Sequence, residues 1–293
     1  MDIKQLKGKF QQLEGVDQTI DRLQYDQAKI QWKGVVGASR ALTAAAVAEQ
    51  VPNHHLFILQ DKEDAAYFLN DLQGLYPEDK RIVFYPASYK TPYKVEETDN
   101  ANVVSRAETL EKISKSANTW IITYPEALFE LVPTKQRLES HTFRIEKGKE
   151  YSQDFLNELL QEYDFSVVDF VYEPGQFAIR GGIMDIFSYS NDQPFRLEFF
   201  GDEIDSIRMF DPVSQLSIKQ HEFFHIVPDV QHSLDQSENG SFLAFIGANS
   251  TVWVSSHKEV EARLEKEYQK AVKIHSQLEE TLVKRSLPSE LYF

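Results

Sequence analysis

The stretch Pro194-Phe-Arg-Leu-Glu-Phe-Phe-Gly-Asp-Glu-Ile-Asp-Ser-Ile-Arg-Met-Phe-Asp211 reads as two strands joined at Gly201-Asp202. Apolar and polar residues alternate on both sides of that turn, which is the mark of a strand with one buried face. The preceding stretch, Gly175-Gln-Phe-Ala-Ile-Arg-Gly-Gly-Ile-Met-Asp-Ile-Phe187, repeats the design around Gly181-Gly182. Extended outward, the pattern predicts strands over Phe165–Tyr172, Phe177–Arg180, Ile183–Ser188, Phe195–Phe200, Ile204–Phe210 and Ser217–Val227. Pro174-Gly175, Asn191-Asp192 and Asp211-Pro212 supply further turns. This is an antiparallel β-rich module.

On either side the style is different. Ser39-Arg-Ala-Leu-Thr-Ala-Ala-Ala-Val-Ala-Glu-Gln is rich in helix formers and stops at Val51-Pro52. Leu56–Leu59, Arg81–Tyr85, Trp120–Thr123 and Ser250–Ser255 are short apolar runs, as in strands buried on both faces. Between them, a helix from Asp61-Lys-Glu-Asp64 buries Ala65, Phe68, Leu69 and Leu72 and ends near Gly74 and Pro77; another occupies Ser105–Ser114. A long helix with balanced charge runs from His257 to about Arg285. Short strands alternating with helices imply a parallel sheet. The expected class is therefore α/β, with residues 1–138 and 229–293 forming the parallel-sheet domain and 139–228 an inserted β-rich α+β domain. The apolar end, Leu291-Tyr-Phe293, suggests a fragment of a longer protein.

Composition narrows the function. The 293 residues carry a net charge of −15 and contain no cysteine. Thiol nucleophiles, disulfides and thiolate metal sites are excluded, and tight autonomous binding of duplex DNA is disfavoured by long-range repulsion. No apolar run is long enough to span a bilayer, and the amino terminus lacks the apolar core of a signal peptide. The expected location is the cytoplasm.

Three motifs were weighed for chemistry. Gly34-Val-Val-Gly37-Ala-Ser-Arg40 lies where a phosphate-binding loop would enter a helix, but lacks the Gly-Lys-Ser/Thr that cradles phosphate and magnesium. It reads as a glycine turn, with no ATP hydrolysis by that route. His221-Glu-Phe-Phe-His225 matches a zinc-peptidase pattern. On a helix its two imidazoles lie about 6 Å apart, whereas on a strand they are about 13 Å apart. Its apolar flanks and Pro228 favour a strand, so no metal is assigned. The acid pairs Asp202/Glu203 and Glu96/Glu97 read as solvated turns and loops.

Strand parity singles out a different group. Phe195, Leu197 and Phe199 share one face, which leaves Arg196, Glu198 and Phe200 on the other; Arg180 alternates likewise against Phe177 and Ile179. Arginines and an aromatic ring on a rigid sheet are the composition of a protein-recognition hot spot. Equally, Phe200 could cap the hairpin while the arginines pair with Glu198 or Asp185.

Arg180-Gly-Gly-Ile-Met-Asp-Ile-Phe and the Arg196–Asp211 stretch also resemble the signature shared by the excision-repair protein UvrB and the transcription-repair coupling factor Mfd. Phe84-Tyr-Pro-Ala-Ser-Tyr-Lys-Thr-Pro-Tyr93 resembles the Mfd branch, and UvrB's DNA-gripping hairpin insertion has no counterpart. The resemblance implies the amino-terminal UvrB-like region of a bacterial coupling factor: a degenerate P-loop, RecA-like domain carrying an inserted domain that recruits the ATPase UvrA. It implies contacts through Arg180, Arg196 and Phe200, no catalysis and no cofactor in this chain. RNA polymerase and DNA would be bound by regions beyond Phe293. The rival reading is a UvrB-like, ATP-dependent DNA damage-binding or helicase protein.

Overall fold

The computed structural model describes residues 2–25, 27–92, 99–140, 142–228 and 239–277. Helices α1 (Ile3–Gln11) and α2 (Glu14–Leu23) precede α3 (Ser39–Ala48), β1 (His54–Ile58), α4 (Lys62–Leu75), β2 (Ile82–Phe84), α5 (Asn100–Lys115) and β3 (Trp120–Thr123). Next come α6 (Pro125–Phe129), β4 (Val132–Pro133), α7 (Lys135–Ser140), β5 (Phe143–Glu146) and α8 (Gln153–Glu162). The β-rich stretch holds β6 (Ser166–Val167), β7 (Gln176–Arg180), β8 (Ile183–Phe187), β9 (Phe195–Phe200), β10 (Glu203–Phe210), β11 (Ser217–His221) and β12 (Phe223–Ile226). Finally β13 (Asn239–Gly240), α9 (Phe242–Ile246), β14 (Ser250–Val254) and α10 (His257–Gln277) follow.

β14, β1, β3 and β2 form a four-stranded parallel sheet in that order. Every residue of β1 and β3 is buried, because helices cover both faces and leave no polar side. The alanine-rich α3 is buried along nearly its whole length; small side chains let its backbone lie close to the sheet. Asp61 caps α4 by accepting the Asp64 N–H at 2.8 Å, and that helix buries Ala65, Phe68 and Leu72. Phe68 meets Phe57 of β1 with ring centres 5.2 Å apart. The fully buried Arg106 donates to the carbonyls of Pro86 and Ala127, both at 2.8 Å, tying α5 to the segment after β2 and to α6.

The other large sheet has the order β11-β10-β9-β8-β7-β6 and is antiparallel except between β6 and β7. Its inner face packs Phe177, Met184, Ile186, Phe195, Leu197 and Ile207 against Leu156 and Leu160 of α8. Two separate hydrophobic cores result, one around each sheet.

Some boundaries differ from expectation. The strand predicted over Phe165–Tyr172 is only β6, because residues 168–173 turn over the outer face, where Val171 packs with Ala178 and Phe187. The strand predicted over Ser217–Val227 breaks at Glu222, whose carbonyl accepts the Lys147 N–H at 2.9 Å; β12 then pairs with β5 rather than extending the six-stranded sheet. α5 begins five residues earlier than predicted, since Asp99 caps it through the Asn102 N–H. Helices α1, α2 and α8 were not foreseen. The predicted Glu96/Glu97 loop, the end of the long helix beyond Gln277 and the Leu291–Phe293 terminus lie outside the described residues.

His55 shows how tightly the parallel sheet is closed. Its Nε2 faces the Val51 carbonyl at 2.9 Å, and Trp253 Nε1 donates to its Nδ1 at 3.1 Å. These partners select the neutral ring protonated on Nε2. Burial pushes its pKa down to about 4. The unfolded chain therefore binds a proton between about pH 6.5 and 4 that the folded chain refuses. Its contribution to stability is full above pH 6.5 and lost as pH falls toward 4. Urea unfolding across that range should show a smaller acid loss for His55→Gln than for the unaltered chain.

Candidate docking site

Two glycines with left-handed backbones set the registers that build this face. Gly181 (φ 60°) and Gly201 (φ 64°) make the tight turns after β7 and β9, a conformation that costs glycine no side-chain clash. Arg180 and Phe200 each immediately precede one of them. Across the ladders, Ala178 pairs with Asp185, Asp185 with Arg196, and Arg196 with Arg208; one row further, Arg180 pairs with Ile183 and Ile183 with Glu198. Directly paired residues of an antiparallel ladder project to the same side. Arg180, Asp185, Arg196, Glu198, Phe200 and Arg208 therefore share the outer face.

Of the two open readings, the pairing of the arginines with Asp185 is observed. Phe200 is 83% exposed and points away from the core. The arginines, however, are not loose. Asp185, 1% exposed, accepts from Arg196 Nε at 2.7 Å and Arg196 Nη2 at 2.8 Å, and also from Arg180 Nη2. Glu198 instead takes Arg208 and the Ser206 hydroxyl. The hydrogen bond to Asp185 holds the Arg196 guanidinium pKa above its ordinary value, so its charge is permanent at any working pH.

Several members escaped the sequence. Gln215, in a left-handed turn after β10, accepts from Arg196 Nη2 at 2.9 Å. Phe170, half exposed, lies 5.1 Å from the Arg180 guanidinium, while Arg180 Nη1 donates to the Asp169 carbonyl at 2.6 Å. Parity could not place Phe170, because its segment is no strand. Asp185 was legible from the alternation of Ile183–Phe187 but entered only as a competitor for the arginines.

The remaining motifs resolve differently. In the Gly34–Arg40 turn, Ser39 Oγ accepts the Val36 N–H at 3.1 Å and donates to the Val36 carbonyl at 2.6 Å. Arg40 makes a bidentate pair with Asp64 at 2.5 and 3.0 Å. That hydrogen bond holds Asp64 below its usual carboxylate range. The hydroxyl and the cation of this turn thus serve the fold. Beside it, a groove of about 650 Å³ opens at the carboxyl ends of β1 and β14, lined by Phe57, Phe68 and Trp253 with Arg40 among its polar residues. His221 and His225 lie on strands, as expected, and in different sheets. His221 packs edge-on against Phe195, and His225 Nδ1 is 3.5 Å from Glu111. Asp202 and Glu203 are exposed at the β9–β10 turn.

Residues 143–232 match the family described as the UvrB interaction domain. The chain is also similar to the transcription-repair-coupling factor of Escherichia coli (strain K12), 28% identical over 69% of this chain and 18% of that protein. With the transcription-repair-coupling factor of Bacillus subtilis (strain 168) the identity is 26%, over 67% of this chain and 16% of that protein. UvrABC system protein B of Gloeothece citriformis is 28% identical over 67% of this chain and 31% of its own length. The chain spans under a fifth of these coupling factors and about a third of that UvrABC protein. The stretch that matches the UvrB interaction domain, 143–232, contains the whole six-stranded sheet.

If Phe200 has no part in holding the fold, Phe200→Ala should change unfolding free energy by no more than about 0.5 kcal/mol. Phe177, wholly buried on the other face, should cost about 3–5 kcal/mol on the same substitution. Urea titration of the two variants checks the contrast.

Proposed function

We propose that this chain is a non-catalytic recruitment module of nucleotide excision repair, docking the damage-recognition ATPase UvrA through the outer face of the β-rich sheet. The observation that carries the reading is Phe200: an 83%-exposed aromatic ring on the same face as Arg180 and Arg196, inside the stretch that matches the UvrB interaction domain. A large apolar side chain left in water by the fold, on the same face as fixed arginines, has the composition of an interface anchor.

Residues 139–228 are the docking domain in this reading, inserted between 1–138 and 229–293. The parallel-sheet part is a degenerate RecA-like domain. Its strand order and the groove at the strand ends support that ancestry, and the commitment of Ser39 and Arg40 to internal bonds supports the loss of phosphate chemistry. The same commitment weighs against the rival ATP-dependent helicase reading. Among the described residues no helix is long and apolar enough to cross a membrane, in keeping with a module that works in the cytoplasm. In a longer protein of the coupling-factor kind, RNA polymerase and DNA would be engaged by regions outside these residues.

Titration of purified UvrA with the chain tests the proposal. Phe200→Ala should weaken binding about 30-fold or more, the equivalent of about 2 kcal/mol for a hot-spot residue, with the circular dichroism spectrum unchanged. Equal binding by the two proteins would overturn this assignment of the face.

A further inference from the structure

We propose that Asp185 is the positioning residue of this face, and that the partner meets the arginines with a single carboxylate and meets Phe200, further along the same face, with an apolar group. The inference rests on the docking reading above and adds the chemistry of its partner. Each guanidinium is held on more than one side. Arg196 bonds Asp185 through Nε and Nη2, reaches Gln215 at 2.9 Å, and lies 4.4 Å from the Phe210 ring centre. Arg180 donates to Oδ2 of the same carboxylate, the oxygen that also accepts from Arg196 Nη2, donates to the Asp169 carbonyl, and faces Phe170. Long side chains normally lose rotamer freedom on binding; these have lost it already, which lowers the cost of association.

The charge count specifies the ligand. Two guanidinium groups on one carboxylate leave one net positive charge, and the adjacent Arg208 is matched by Glu198. One incoming carboxylate balances the site, whereas a second would be desolvated without a counter-charge. Phe200, four residues further along β9, about 13 Å from Arg196 at strand rise, lies on the same face and largely in solvent, and offers a separate apolar contact.

Positioning and simple attraction make opposite predictions. Asp185→Asn keeps the shape and raises the site from one positive charge to two. If charge alone attracted an acidic partner, the variant would bind more tightly. If Asp185 orients the arginines, it binds more weakly.

The test combines partner-free NMR of the arginine guanidinium N–H groups with UvrA titrations at low and high salt, for the unaltered chain, Asp185→Asn and Gln215→Ala. The expected result has three parts. Arg180 and Arg196 give distinct, slowly exchanging signals in the unaltered chain. Asp185→Asn merges those signals and binds UvrA about tenfold more weakly. Gln215→Ala disturbs Arg196 alone and loses less. Unchanged signals, or binding by Asp185→Asn as tight as or tighter than the unaltered chain, overturn the positioning role. Binding indifferent to salt overturns the carboxylate. Failure of the unaltered chain to bind UvrA refutes the docking reading, and the NMR signals still decide what Asp185 does. Should Asp185→Asn not fold, the Arg196 signal and affinity of Gln215→Ala decide in its place.

Discussion

A carboxylate withdrawn from water must be met by cations or hydrogen-bond donors, or it destabilises the fold by several kcal/mol. Asp185 meets that requirement with arginines from two other strands, Arg180 on β7 and Arg196 on β9. The ladder registers that put Asp185 opposite Arg196 are therefore also the registers that bury the acid safely. A slip of one residue in β8 would send Asp185 into the apolar core and Met184 to the surface. The electrostatic and hydrophobic demands on this sheet thus select the same alignment, and Phe200 owes its exposure to that alignment as much as to its own position before Gly201.

The parallel-sheet part uses a similar pairing to a different end. Arg40 and Asp64 are bound at the start of α3 and α4, at the edge of a groove where nucleotide-binding folds hold their ligands. The guanidinium fork is turned onto an internal acid and the Ser39 hydroxyl is closed onto its own turn, so both side chains are engaged within the fold. In the β-rich sheet the paired arginines share the outer face with an exposed ring; in the parallel sheet the pair closes the turn.

Much of this architecture was legible beforehand because the deciding signals are local. Period-two alternation located β7 to β10, and uniform apolar runs located β1, β3 and β14. Where the reading failed, long-range partners intervened. Residues 168–173 carry strand-forming side chains yet leave the ladder, because Arg180 and the Val171–Ala178–Phe187 cluster hold them over the sheet. Glu222 breaks an otherwise continuous strand, because the next residues gain a partner in β5, about 80 positions earlier in the chain. At the candidate site, parity identified which side Arg180, Arg196 and Phe200 share. It could not reveal that one acid would restrain both arginines, since that depends on the register of three strands at once.

β1 lies between β14 and β3, and its register with β14 begins at His54 and Ser250, on opposite sides of the whole β-rich stretch. During synthesis from the amino end, the last strand of the parallel sheet emerges from the ribosome only after the complete six-stranded sheet has done so. The β-rich unit can pair its neighbouring hairpins first, while the β1 edge waits with its backbone groups open. A sheet whose strands come from both sides of another thus imposes a schedule: the six-stranded sheet can close before the parallel sheet is sealed.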